Sequence, residues 1–213
     1  GRLLYDDDLN RYFVNLKIVG VNHIADEPYW RKYFDVVSDL MYKGSTGQMQ
    51  LGDLTCANNA QSSSTGDIFL LDTDDHASGH TPGDPPHITE PFDGKVLLLK
   101  DAEREPAITH HELAHFVYTL RDEYELWSGP PKRMCQTDPG TEECVMEWAP
   151  GYGPLLDEYG DLASSQPAPQ VWKFCFGEHQ NVPINPQHQA YHASCWQRID
   201  SRFQNIRPPN ELS

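Results

Sequence analysis

One short segment has the residue types and the spacing of a hydrolytic metal site. It reads His111-Glu112-Leu113-Ala114-His115, an HExxH pattern. On a helix each residue advances by about 100°, so residues four apart differ by about 40° and both imidazoles can bind one zinc ion. Glu112 would then face a water at the open zinc position, as a general base does in metal-dependent hydrolases. With ten histidines in the chain, roughly 0.03 such patterns are expected by accident.

The helix that carries this segment can be predicted from its apolar residues. Helical spacing places Leu113, Phe116, Val117 and Leu120 roughly opposite the two histidines. We therefore predict an amphipathic helix with one packed face and one working face. Pro106 fits its first turn, where the missing backbone donor costs little.

A third zinc ligand is not settled by spacing alone. A straight helix that rises about 1.5 Å per residue would carry Asp122 about 10 Å beyond His115, too far to share its metal. Either the helix ends before Asp122 or the ligand comes from elsewhere. Tyr118 and Thr119 stand where the break is needed, and neither adopts a left-handed conformation as readily as glycine.

Composition limits the class of protein. A chain of 213 residues with 38% hydrophobic content fits one domain, which we divide into an N-terminal sheet-and-helix part, 1–126, and a C-terminal part, 127–213. No apolar run approaches the ~20 residues of a membrane span. The net charge of −16 argues against a nucleic-acid partner, which needs a basic patch.

The cysteines suggest an oxidising compartment. The five cysteines form no CxxC, and four of them follow the HExxH segment in a turn-rich region that disulfides would stabilise. We expect a secreted or extracellular protein with two disulfides, in which Cys56 is the free thiol.

The remaining elements follow from periodicity and turn signals. We expect an α+β fold in which a mixed, twisted sheet is backed by helices, with a mostly irregular C-terminal half. The predicted strands and helices, in chain order, are a first strand at Phe13–Val21, a helix at Glu27–Tyr42, strands at Met49–Cys56, Asp67–Leu71 and Lys95–Lys100, and two closing helices around Val171–Cys175 and Cys195–Phe203.

Three polar stretches are assigned to loops. Asn58–Gly66 is predicted to connect two strands. Asp72–Asp93, which contains His76, His80 and His87, is predicted to be a loop, either a lip of the cleft or a second metal loop. Asp6-Asp7-Asp8 could contact Ca²⁺, but it lacks the spacing of a calcium loop, and solvated carboxylates are the favoured interpretation.

The HExxH segment followed by Asp122-Glu123-Tyr124 resembles the catalytic signature of the metallopeptidase domain of the calcium-activated chloride channel regulator family, zinc peptidases of the metzincin-like group. The resemblance implies a zincin fold, Asp122 as third ligand and a Met-turn beneath the metal, which Cys144-Val145-Met146 fits. Trp172-Lys173-Phe174-Cys175 and Ser194-Cys195-Trp196 are similar to the closing segment of the family. One departure is Thr119, where the family has glycine. We nevertheless predict that the helix ends within Phe116–Thr119, so that Asp122 can complete the metal site.

The bacterial immunoglobulin A peptidase family is a near alternative that implies the same chemistry. Either resemblance predicts a zinc endopeptidase that acts on a protein or peptide, and its own parent chain is one candidate substrate. Tyr124 and Tyr152 are candidate donors to the oxyanion, and Glu123 is the fallback ligand.

A second function class stays open. The chain could be a non-catalytic, zinc-stabilised binding or adhesion module of a larger extracellular protein. His179, His188 or His192 would then close the fourth zinc position. The presence of Glu112 favours the enzyme, because a structural zinc site has no use for a general base.

Overall fold

The computed structural model describes residues 1–21, 26–60, 65–71, 78–80, 95–98, 104–118, 120, 124–125, 132–133, 146, 154–163, 174, 195–203 and 205–207. In chain order the elements are β1 (Arg2–Asp6), β2 (Arg11–Val21), α1 (Glu27–Gly44), β3 (Met49–Ala60), β4 (Ile68–Leu71), β5 (Ser78–His80), β6 (Lys95–Leu98), α2 (Pro106–Tyr118), β7 (Tyr124–Glu125), β8 (Lys132–Arg133) and α3 (Cys195–Arg202). These elements define an α+β fold.

Strand β2 is the centre of a mixed six-stranded sheet. Along one edge it pairs in parallel with β3. Along the other edge it pairs first with antiparallel β1 and then, from Ile18 onward, with parallel β4. Beyond β4 lie parallel β6 and, at the edge, antiparallel β5. Strands β7 and β8 form a separate antiparallel pair.

One core joins the sheet to the three helices. Alternate residues of β2, namely Val14, Leu16 and Ile18, are buried in it, as the period of two requires of a strand with one packed face. Helix α1 contributes residues three and four apart along its apolar face. These are Trp30, Tyr33, Phe34, Val37, Leu40 and Met41. Helix α2 then packs against α1, α3, β5 and β6.

The structure confirms the predicted helix at Glu27 and the strands that begin at Met49 and Lys95, with small changes in their ends. Three predictions about connections were wrong. The sheet begins with β1 rather than with the strand at Phe13, β3 runs on to Ala60 through the start of the predicted loop, and β5 lies inside the stretch Asp72–Asp93. Each of these strand segments is short or polar. It forms a strand because its backbone pairs with a neighbouring strand, and local sequence does not encode that pairing.

The acidic residues Asp6, Asp7 and Asp8 belong to the turn between β1 and β2. Asp6 accepts hydrogen bonds through Oδ1 from the backbone N–H groups of Asp8 at 3.0 Å and Leu9 at 2.9 Å. Asp7 and Asp8 are exposed, as the solvated interpretation expects. The run therefore closes the hairpin between β1 and β2, a common role for aspartate.

The C-terminal part is tied to the N-terminal part by polar contacts as well as by the core. The Gln48 amide donates to the backbone oxygen of Arg207 at 2.6 Å, and its Oε1 accepts from the Arg207 N–H at 2.7 Å. Lys32 on α1 donates to Asp161 at 2.7 Å. Helix α3 matches the predicted second closing helix. Phe174, at the predicted first one, is buried but lies outside any helix, and its neighbours lie outside the described residues.

Within the described part of the chain, no helix has both the length and the apolar character needed to cross a membrane.

Candidate metal centre

Helix α2 presents a single partly exposed line of side chains. Ile108, His111 and His115 are half-buried, while the other residues of α2 are buried. The predicted face with Leu113, Phe116 and Val117 is fully buried, as expected. The prediction of a simple amphipathic helix was wrong, because α2 is packed on several sides by α1, α3, β5 and β6. The two histidines nevertheless occupy the one line that opens outward.

The two imidazoles are placed to share a metal ion. The Nε2 atoms of His111 and His115 are 3.2 Å apart, and the two rings are nearly perpendicular, at 89°. Two nitrogens each about 2.0–2.1 Å from a tetrahedral zinc are about 3.3–3.4 Å apart. The pair therefore fits one zinc ion with both Nε2 atoms as ligands.

The orientation of His115 is fixed by the backbone. Its Nδ1 lies 2.8 Å from the carbonyl oxygen of Leu120. Because a carbonyl oxygen only accepts, Nδ1 carries the proton and Nε2 keeps the lone pair that faces His111. Histidines that bind metal usually donate their other ring N–H in this way, which fixes both tautomer and ring angle.

Helix α2 ends before Asp122. Its last residue is Tyr118, and the N–H of Leu120 donates to the Ala114 carbonyl oxygen at 3.3 Å. In a continuous helix Leu120 would donate to Phe116. The regular helix thus stops after Tyr118, and the predicted helix end within Phe116–Thr119 is confirmed.

Glu112 borders the histidine line. Successive helical residues differ by about 100°, so Glu112 lies about 60° from His115 around the helix axis. Its side chain is buried, with 8% of its surface exposed. A largely buried carboxylate at a helix position next to the histidine line suits a general base that acts on one bound water.

His110, to which the sequence analysis gave no role, belongs to the core. It is fully buried, its ring lies 6.0 Å from that of Phe174, and neither ring nitrogen has a hydrogen-bond partner among the described residues. Burial, and secondarily the nearby His111, lower the pKa of His110 from 6.5 to about 3. His110 is thus buried in the core while the adjacent His111 is partly exposed. The helical step of about 100° between neighbouring residues accounts for this difference.

The other predicted site residues are only partly placed. Met146 is fully buried in the main core. Tyr124 begins β7, and His80 lies in β5 rather than in a loop. The remaining candidates lie outside the described residues, and their roles stay predictions. These are Asp122, Glu123, Tyr152, His76, His87, His179, His188 and His192.

The described residues bring together two of the proposed ligands but no group of three or more His, Cys, Asp or Glu side chains suited to a metal. No family model, no curated protein and no solved structure matches this chain.

Proposed function

We propose that this chain is a zinc-dependent endopeptidase of the metzincin-like type, with zinc held by His111 and His115. The observation that carries the proposal is the 3.2 Å separation of the two Nε2 atoms. The Leu120 carbonyl that orients His115 adds to it. Asp122 as third ligand and a Met-turn at Met146 complete the proposal, on the strength of the family resemblance.

The chemistry assigned to the chain's own residues is acid–base catalysis. When bound, zinc supplies a Lewis acid that polarises the scissile carbonyl and acidifies a water molecule. Glu112 accepts the proton of the attacking water and then donates it to the leaving amine, a role typically worth 10²- to 10⁴-fold in rate. The Tyr124 or Tyr152 hydroxyl would donate a hydrogen bond to the developing oxyanion.

An edge strand beside α2 supports a peptide substrate. Strand β5 ends the strand order of the sheet, so its second edge is not paired with any described strand. Helix α2 contacts β5. An extended peptide can add to such an edge through backbone hydrogen bonds, which suits an enzyme that cleaves extended chains. Ile108, on the same line as the histidines, would then contact a substrate side chain.

The substrate class is accordingly a protein or peptide, and the parent chain of this domain belongs to that class. The cysteine content and the charge of −16 support a secreted or extracellular location.

Metal analysis of the purified protein tests the proposal. We expect about one zinc per chain, and loss of zinc in His111→Ala and His115→Ala, because one imidazole cannot hold the ion at a three-ligand site. His110→Leu is the matched control, since it removes the adjacent histidine that faces the core. Full zinc occupancy in the double variant His111→Ala/His115→Ala would overturn the ligand assignment.

A further inference from the structure

The sheet has a groove on the face that points away from helices α1 and α2. Val14 of β2 is buried in the core with these helices. Its neighbours Phe13 and Asn15 face the opposite side, because side chains alternate along a strand. On that side a cavity of about 640 Å³ lies between the β1–β2 hairpin and β3. The sheet therefore separates this groove from the histidine line of α2.

The floor of the groove is apolar. Leu4 and Phe13 lie directly opposite each other in the β1–β2 register, and both side chains are half-buried. Farther along the same face of β2, Val19 is fully buried. The Leu4–Phe13 pair thus leaves apolar surface in contact with solvent at the hairpin end of the sheet, where an apolar side chain of a partner can pack.

A β-bulge in β3 brings a carboxylate to this groove. Two residues of β3, Gly52 and Asp53, stand opposite the single residue Asn15 of β2. The N–H of Asp53, which the bulge frees from the ladder, donates to Asn15 Oδ1 at 2.9 Å. A Cβ at Gly52 would overlap with that same oxygen, so glycine leaves the room that the bulge needs. Bulges re-aim side chains, and here Asp53 is exposed while Leu54 still packs against the core.

The rim of the groove is acidic. Asp53 at the bulge lines it together with the three aspartates of the hairpin, Asp6, Asp7 and Asp8. The carboxylates of Asp7, Asp8 and Asp53 form no ion pair with any residue that the structure describes. None of the basic residues of the two adjoining strands lines the groove, namely Arg2, Arg11 and Lys17. A bound group must therefore be cationic, because an anion would meet four carboxylates.

We propose that this groove is a docking site for a basic peptide segment of a partner protein, in which lysine or arginine residues flank an apolar side chain. The apolar side chain packs on Leu4 and Phe13. The long basic side chains lay their stems along the floor and carry their charges to the acidic rim. A second copy of this chain does not fit the groove, since both copies carry a net charge of −16. The inference does not depend on the proposed zinc site.

The test is the fluorescence anisotropy of a labelled peptide in which lysines flank leucines, measured with a chelator present so that no metal contributes. Wild type should bind it with a dissociation constant below about 1 mM. Asp7→Asn/Asp8→Asn/Asp53→Asn should weaken binding about tenfold, as expected for the loss of three exposed ion pairs. Phe13→Ala should weaken it at least about fivefold, because the apolar side chain of the peptide loses its main contact.

A matched variant separates the groove from the general acidity of the chain. Asp26→Asn/Asp35→Asn/Glu158→Gln removes the same three charges at exposed positions outside the groove. Its affinity for the peptide should stay within about twofold of wild type, since salt screens distant charges. Equal losses in the two triple variants would overturn the inference, and so would a wild-type chain that does not bind the peptide at about 1 mM.

A change in the peptide tests the floor without altering the protein. Replacing the leucines by serine keeps the charges and should weaken binding to wild type at least about fivefold. Equal affinity for the two peptides would overturn the inference, because the apolar floor would then have no part in binding. Zinc enters none of these measurements, so the groove and the zinc site stand or fall separately.

Discussion

At the scale of residues, the candidate site consists of two imidazoles whose Nε2 atoms are 3.2 Å apart, and the Leu120 carbonyl oxygen orients one of them. The spacing of His111 and His115 requires proximity on any helix, so their 3.2 Å approach was predictable. The contact of His115 with the Leu120 carbonyl was not, because it depends on where the chain goes after the helix ends. The burial of His110 could have been predicted from the helical step of about 100°, which turns its side chain away from that of His111.

The first prediction concerns His110 and acid stability. Its pKa is near 3 in the folded chain and about 6.5 when unfolded. The unfolded state therefore binds the extra proton between these values, and stability is lost as pH falls from about 6.5 to about 3. Each pH unit in this window costs up to about 1.4 kcal/mol.

His110→Leu removes this proton while filling the same apolar site. Between pH 7 and pH 4 its melting temperature should therefore fall less than that of wild type. Both proteins are measured with a chelator present, so that loss of bound metal at low pH does not contribute to the change in melting temperature. Parallel curves for the two proteins would show that His110 does not carry the effect.

At the scale of elements, long periodic segments were predictable and short paired ones were not. The apolar residues of helix α1 recur at helical spacing and those of strand β2 alternate along the strand, so both elements can be recognised from the sequence. Strands β1 and β5 exist through pairing with neighbours, which local sequence does not show. The end of α2 at Tyr118 was predictable from the reach of a straight helix taken together with the family resemblance that implies Asp122 as a ligand.

The second prediction concerns the proposed third zinc ligand. Asp122→Ala should weaken zinc binding severely, because we propose its carboxylate as the third ligand and two imidazoles alone do not complete a zinc site. Glu123→Ala should leave the affinity nearly unchanged. Isothermal titration with zinc compares the affinities of the two variants. Both substitutions replace an acidic residue by alanine, so each variant is the control for the other. Severe loss in Glu123→Ala alone would move the ligand by one residue.

At the scale of the whole molecule, one core draws on residues from Val14 to Ile206. The α+β class was predictable because helical and strand periods both occur along the chain. The division at residue 126 and the single-domain assignment stay predictions. The C-terminal part was harder to predict, since contacts such as that between Gln48 and Arg207 join segments far apart in sequence.

The third prediction concerns the compartment. Cys56 is an exposed free thiol, and partial burial together with the Glu27 carboxylate raises its pKa, which makes it a weak nucleophile. Protein from an oxidising host should show two disulfides by mass measurement without reductant, with Cys56 reactive to a thiol reagent. Five reactive thiols would contradict the extracellular proposal. Cys56→Ser is the control, and it should lose only the single reactive thiol.

The most direct measurement of the central claim is digestion of a generic protein substrate by wild type and by Glu112→Gln, with zinc content determined for both. The amide keeps the size of the side chain but cannot accept a proton from water. We expect both proteins to hold about one zinc per chain, wild type to cleave the substrate, and Glu112→Gln to be slower by at least about 10²-fold. Equal cleavage by the two proteins, or zinc-loaded wild type that cleaves nothing, would contradict the assignment, and the second result would favour the zinc-stabilised binding module instead.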